Sequence, residues 1–139
     1  MKYLLIGDSH CYALGEQKRA WERCAFHGIT SMIFNQQHPG PFVADVVVIS
    51  LGGNDERFPD FRCNTKNELM LLRSRVTAKK VIWFNTINSD KVRELQINIA
   101  KEHGDLILDS RGFELFVDGL HLSNDGYLNA VNAIEMMSV

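Results

Sequence analysis

Three separate stretches of this 139-residue chain carry side chains that could do acyl-transfer chemistry together. The first is Gly7-Asp8-Ser9-His10. An apolar run precedes Ser9 and an amphipathic one follows, so Ser9 is placed where a strand turns into a helix. Its hydroxyl would stand at the end of a sheet, and its N–H would be one of the amides that a helix start leaves without a partner. Those amides and the helix dipole favour negative charge, and an oxyanion formed by attack on a carbonyl is such a charge. Capping the helix is a simpler role that fits the same position.

The second stretch is Asp118-Gly119-Leu120-His121. A serine hydroxyl needs a base to take its proton, and the base needs an acceptor on its other ring nitrogen. Three-residue spacing in a turn ahead of a helix can bring the Asp118 carboxylate onto His121 Nδ1–H, leaving Nε2 to face Ser9. A loop-ending aspartate and a half-buried histidine would show the same spacing. The third stretch is Gly52-Gly53-Asn54-Asp55. Asn54, just past a strand, can donate from its side-chain amide to an oxyanion; an ordinary Asn-Asp turn is the alternative.

The elements that must position these residues follow from hydrophobic period. Tyr3 to Ile6 reads as a first strand. A helix is expected from about His10 to Phe26, with Leu14, Trp21 and Ala25 on one face and Gly28 ending it. Ile29 to Phe34 reads as a second strand, and Gln36 to Pro41 as a loop. Val46 to Leu51 is a continuous apolar run, as a strand buried on both faces requires. Glu56 to Asn64 reads as a loop, and Thr65 to Glu68 has the form of a capping box ahead of Leu69, Leu72 and Val76. Lys80 to Phe84 is the next strand. Ser89 can cap a helix carrying Val92, Leu95 and Ile99, with Gly104 as its end. Asp105 to Asp109 is the last strand, and Ser123 can cap a final helix with Leu128, Val131 and Ile134 inward. Strands alternating with helices imply parallel pairing and right-handed crossovers. The expected architecture is a single-domain three-layer α/β/α sandwich with a five-stranded parallel sheet. Function in such sheets sits beyond the carboxyl ends of the strands, where all three stretches fall.

Taken in order, the three stretches resemble the blocks of the SGNH (GDSL-type) hydrolases. Gly7-Asp8-Ser9 is similar to their first block, Gly52-Gly53-Asn54-Asp55 to their Gly-x-Asn-Asp block, and Asp118 to His121, with Leu122-Ser123 and Gly126-Tyr127 after it, to their Asp-x-x-His block. With the elements between them, the resemblance covers nearly the whole chain. It implies a flavodoxin-like fold and hydrolysis of a small-molecule ester without metal or cofactor. It implies Ser9 as nucleophile, His121 as base, Asp118 as its orienting partner, and an oxyanion hole from the Ser9 N–H, a glycine N–H and Asn54. Leu122 stands where family members usually have proline. Gly40, after the expected second strand, is the best candidate for the oxyanion glycine. Its closeness to the third strand implies that the usual intervening helix is missing or cut to a turn, which would leave the site open and shallow on that side.

Two other functions fit parts of the pattern. Asp8-Ser9-His10 has the Asp-x-His form of a metal-dependent phosphoesterase, although a second Gly-Asp-x-x-Asp block and a closing Gly-His-x-His are absent. A non-catalytic flavodoxin-like binding module would use the same loops to hold a ligand. Composition narrows the field. The net charge of −2 gives no basic surface for nucleic acid or for an anionic membrane. No apolar stretch is long enough to span a bilayer, and the first one stops at Ile6, short of a signal-peptide core. Cys11, Cys24 and Cys63 fit no zinc or redox spacing, so reduced thiols in a cytoplasmic protein are expected.

Several residues near these stretches have ordinary readings beside functional ones. Cys11 reads as a small packed hydrophobe rather than an activated thiol. Asp8 reads as a hydrogen-bonding residue of its loop. His10 could meet substrate or solvent. Phe58 and Phe61 could line an acyl pocket or staple their loop to the core. Arg57 and Arg62 could attract an acidic substrate, with solvated loop charges as the default.

Overall fold

The apolar runs at the centre of the chain alternate between two faces, and each face is covered. The computed structural model describes residues 1–139. Its sheet has five parallel strands in the order β2-β1-β3-β4-β5: β1 Tyr3–Gly7, β2 Glu22–Ala25, β3 Phe42–Ser50, β4 Val76–Phe84 and β5 Leu106–Leu108. Six α-helices connect and close it: α1 Ser9–Gln17, α2 Ser31–Gln37, α3 Gly53–Arg57, α4 Thr65–Ser74, α5 Asp90–His103 and α6 Asn124–Met137. In β1, Leu5 points into the core beneath α1 and α6, while Leu4 and Ile6 point into the core beneath α2, α4 and α5. Val46 and Val48 of β3 join the first core, and Val47 and Ile49 the second. Both faces of β3 are therefore dry, which is why its sequence shows no polar alternation. The expected three-layer α/β/α sandwich is present.

Its first half is assembled differently from the expectation. The predicted helix over His10 to Phe26 stops at Gln17, and the second strand is Glu22–Ala25. Trp21 and Ala25 are four residues apart, a spacing that shares a face in a helix and in a strand alike. That spacing could not decide between them. Tertiary contacts do: Trp21 stacks on Tyr3 with ring centroids 4.4 Å apart, and the Arg23 guanidinium lies 3.9 Å over the Tyr12 ring while bonding Glu16 at 2.7 Å. β2 is an edge strand, so exposed Glu22 and Arg23 are tolerated in it.

The segment expected as the second strand, Ile29 to Phe34, instead enters α2. Its three β-branched residues, Ile29, Thr30 and Ile33, favour a strand, but burial falls on Ser31, Met32, Phe34 and Asn35, a helical pattern. Thr30 at the N-cap makes no side-chain cap bond. The work is done from a distance by Asp55, which accepts the Ser31 N–H at 2.8 Å and the Ser31 hydroxyl as well. Asp55 also accepts the Thr65 hydroxyl at 2.7 Å, so one buried carboxylate ties α3 to the starts of α2 and α4.

Smaller differences share the same origin. The cap of α4 is Asn64, one residue before the expected capping box, because Thr65 is committed to Asp55. Val76 opens β4 rather than closing α4. Ser89 and Ser123 cap α5 and α6 as expected, and Gly104 ends α5 in a left-handed turn. In α6 the inward face is Tyr127, Ala130, Val131 and Ile134, and Leu128 lies outside it, half exposed.

Candidate active site

Ser9 is the first residue of α1 and follows directly from the carboxyl end of β1. The turn is held by close approach. Gly7 has φ +129°, and a Cβ there would sit 1.8 Å from the Ser50 carbonyl oxygen, so no other residue fits beside β3. Asp8 then caps α1: its Oδ1 accepts the His10 N–H at 3.2 Å and the Ser50 hydroxyl at 2.7 Å. Burial pushes the Asp8 carboxyl up to about 6, against the opposing effect of the Ser50 hydrogen bond. Its place is structural, as its position in the loop implied.

His121 reaches Ser9 from a loop between β5 and α6. Its Nδ1–H donates to Asp118 Oδ2 at 2.7 Å, which leaves Nε2 bare, 3.0 Å from Ser9 Oγ. The Asp118 Oδ1 is held by the N–H groups of Leu120 at 2.9 Å and His121 at 3.1 Å. These bonds, the His121 imidazole foremost, hold the Asp118 carboxyl at about 2, so it is ionised at any working pH. The loop closes on itself through Phe116 N–H to the His121 carbonyl at 2.9 Å and an isolated bridge between Leu115 and Leu122. The structure thus brings Asp118, His121 and Ser9 into one continuous hydrogen-bonded line.

Asn54 lies in the same pocket as Ser9 and His121. It is buried, and its Nδ2 donates to the Ile29 carbonyl at 3.1 Å. An amide nitrogen has two hydrogens. The bond to Ile29 fixes the orientation of the group and leaves one N–H uncommitted.

Gly40 is not brought to this site. It precedes β3 at the amino end of the sheet, while Gly7 pairs with Ser50 at the carboxyl end. The eight steps from Phe42 to Ser50 span about 26 Å at the rise of a parallel strand. The misplacement follows from the second strand: with β2 at Glu22–Ala25, the loop after it is Phe26 to Thr30, and its glycine is Gly28. Gly28 has φ +71°, which a glycine adopts without strain. The intervening helix, expected to be missing or cut to a turn, is α2. The pocket is nevertheless small, about 20 Å³, and nearly all its lining is polar.

Neighbouring residues settle several of the side-chain readings. His10 is neither solvated nor free: it is buried and shares a 3.0 Å hydrogen bond with the Tyr127 hydroxyl. Burial, with His121 acting in the same direction, pushes its imidazole down to about 3. Asp8 and His10 thus have separate partners, and no group of three or more His, Cys, Asp or Glu side chains converges as a metal-ligand set. Cys11 is packed in the core with its thiol pushed up to about 12 by burial. All three cysteines are free thiols. Phe58 is half exposed and Phe61 almost fully so, which rules out a core staple for either. Arg62 pairs with Asp60, whereas Arg57 lines the pocket of Ser9. No helix is long and apolar enough to cross a membrane.

Neither a protein-family model nor a curated protein sequence matches the chain. Solved structures do. A carbohydrate acetylesterase from Sinorhizobium meliloti is similar over 99% of this chain and 98% of its own, with TM-score 0.63 and 14% identity. A GDSL-like lipase from Bacteroides thetaiotaomicron is similar over 98% and 88%, with TM-score 0.66 and 16% identity. An aryl esterase of M. smegmatis, in an inhibitor-bound form, is similar over 99% and 98%, with TM-score 0.60 and 13% identity. The chain shares the fold of these esterase and lipase structures over nearly its whole length.

Proposed function

We propose that the chain is a serine ester hydrolase, acting through an acyl-enzyme on small carboxylic esters. The observation that carries this is the line from Asp118 through His121 to Ser9, with links of 2.7 and 3.0 Å, at the N-terminus of α1. Ser9 Oγ attacks the ester carbonyl carbon as His121 Nε2 takes its proton. The carbonyl oxygen gathers negative charge facing the Ser9 N–H and the free N–H of Asn54. Collapse of the tetrahedral intermediate expels the alcohol, which leaves with the proton from His121. Water then repeats the sequence on the acyl-enzyme: it gives a proton to His121, adds to the carbonyl, and Ser9 Oγ departs with that proton. Asp118 stays ionised throughout and holds the imidazole in the tautomer whose Nε2 is bare.

Acyl size follows from the pocket. About 20 Å³ encloses little more than a water-sized group beside the reacting carbonyl, so an acetyl methyl fits inside it and any larger acyl group must extend out over the side chains that line its rim. The named activities of the structural neighbours, carbohydrate acetylesterase and aryl esterase, are in keeping with such esters.

The test is labelling and turnover. A fluorophosphonate probe is expected to modify Ser9, identified by peptide mass, and 4-nitrophenyl acetate to be hydrolysed. Ser9→Ala and His121→Ala should each abolish turnover with the circular dichroism spectrum intact. Full activity in the His121 variant overturns the mechanism. A folded protein that never reacts with the probe would point to a binding module instead.

A further inference from the structure

Arg57 ends α3 and faces the pocket that holds Ser9 and His121. It differs from every other arginine of the chain. Six pair with a carboxylate, and Arg75 donates to the Asn35 carbonyl at 3.2 Å. Arg57 alone makes neither a hydrogen bond nor an ion pair; its guanidinium carbon lies 5.4 Å from the Phe58 ring centroid. The carboxylates nearby are spoken for. Glu56 and Asp55 line a different cavity, Asp8 is engaged by Ser50, and Asp118 by His121. A planar cation with five unused donors therefore borders the proposed nucleophile.

The same pocket holds a second spare donor. The Thr86 hydroxyl donates to Asn88 Oδ1 at 2.6 Å, fixing that amide. Its Nδ2 reaches the Gly53 carbonyl only at 3.5 Å. For a pocket meant for a neutral acyl chain, this lining is expensive to desolvate. For an anion it is complementary, since guanidinium binds carboxylate through two parallel charge-assisted hydrogen bonds.

The structure assigns Arg57 as an anion anchor: the preferred substrates are esters that also carry a carboxylate, held by Arg57 while Ser9 meets the ester carbonyl. This rests on the ester hydrolysis proposed above, and it narrows the substrate class to acidic esters. The carboxylate can belong to the acyl group, as in a half-ester of a dicarboxylic acid, or to the alcohol, as in an acetylated hydroxy acid.

Two matched pairs distinguish these sources. For the acyl side, kcat/KM is compared between mono-4-nitrophenyl glutarate and 4-nitrophenyl butyrate. For the alcohol side, 4-acetoxybenzoate is compared with 4-acetoxybenzamide. The anionic member of one pair should be favoured by about tenfold or more at low salt, and the preference should shrink as salt is raised. In Arg57→Gln the ratio should fall towards one, and Arg57→Lys should retain part of it. No anionic preference in the wild-type protein, or a preference that survives in Arg57→Gln, overturns the assignment. If no ester is cleaved, hydrolysis fails as a reading, and the anion site is judged by binding alone. Glutarate and 4-hydroxybenzoate are then titrated into Ser9→Ala and followed by NMR. Saturable shifts at the Arg57 side chain, lost in the Ser9→Ala/Arg57→Gln double variant, support the site; no binding overturns it.

Discussion

Replacing Asp8 by asparagine should stabilise the protein at neutral pH and leave it almost unchanged in acid. The carboxyl is buried, and its pKa is raised from an ordinary 3.8 to about 6, chiefly by loss of hydration. The folded state therefore holds its proton more tightly than the unfolded chain. At low pH both states are protonated and the difference vanishes. As pH rises through 4 to above 6, the unfolded chain releases the proton first, and stability falls. The two pKa values make the loss about 3 kcal/mol at pH 7.5 and less than about 1 kcal/mol at pH 4. Asparagine removes the charge and keeps the bonds that matter. Both the Ser50 hydroxyl and the His10 N–H donate to Oδ1, which an amide oxygen replaces, and Oδ2 has no hydrogen bond to lose.

For 139 residues, 3 kcal/mol corresponds to a rise in Tm of about 10 °C. His10 works in the opposite direction, because its lowered pKa removes stability as pH falls below the ordinary histidine range. It does so in both proteins and cancels in the comparison. The assay is urea unfolding of wild type and Asp8→Asn at pH 4 and pH 7.5. A variant that gains nothing at pH 7.5 over its value at pH 4 would refute the claim that this carboxylate is buried at a cost.

Asp118→Asn should lower kcat by ~10⁴-fold in an ester assay while leaving the fold intact, because an amide can hold the wrong imidazole tautomer. Asn54→Ala should cost about 100-fold or more in kcat with a smaller change in KM, read by steady-state kinetics on 4-nitrophenyl acetate. Gly7→Ala should give insoluble or unfolded protein by circular dichroism, since its Cβ would overlap the Ser50 carbonyl. Tyr127→Phe leaves the buried His10 nitrogen without its partner and should lower unfolding free energy by about 1–3 kcal/mol in urea.

Residue order alone determined much of this protein. The uninterrupted apolar run at Val46 to Leu51, the serine caps at Ser89 and Ser123, and the strand-helix alternation specified a parallel sandwich, because period and capping are local properties. The placement of Ser9, Asn54, Asp118 and His121 after strands could be read for the same reason. Three things needed the folded chain. Residues 21 and 25 share a face in either conformation, so only stacking on Tyr3 and pairing with β1 made Glu22–Ala25 a strand. The start of α2 depends on a carboxylate 24 residues away, at Asp55, which no window along the sequence contains. With those two displaced, Gly40 looked like the glycine beside Ser9, although it lies at the other end of the sheet. The freedom of Arg57 was equally invisible, because whether a charge is paired depends on neighbours that only packing brings together.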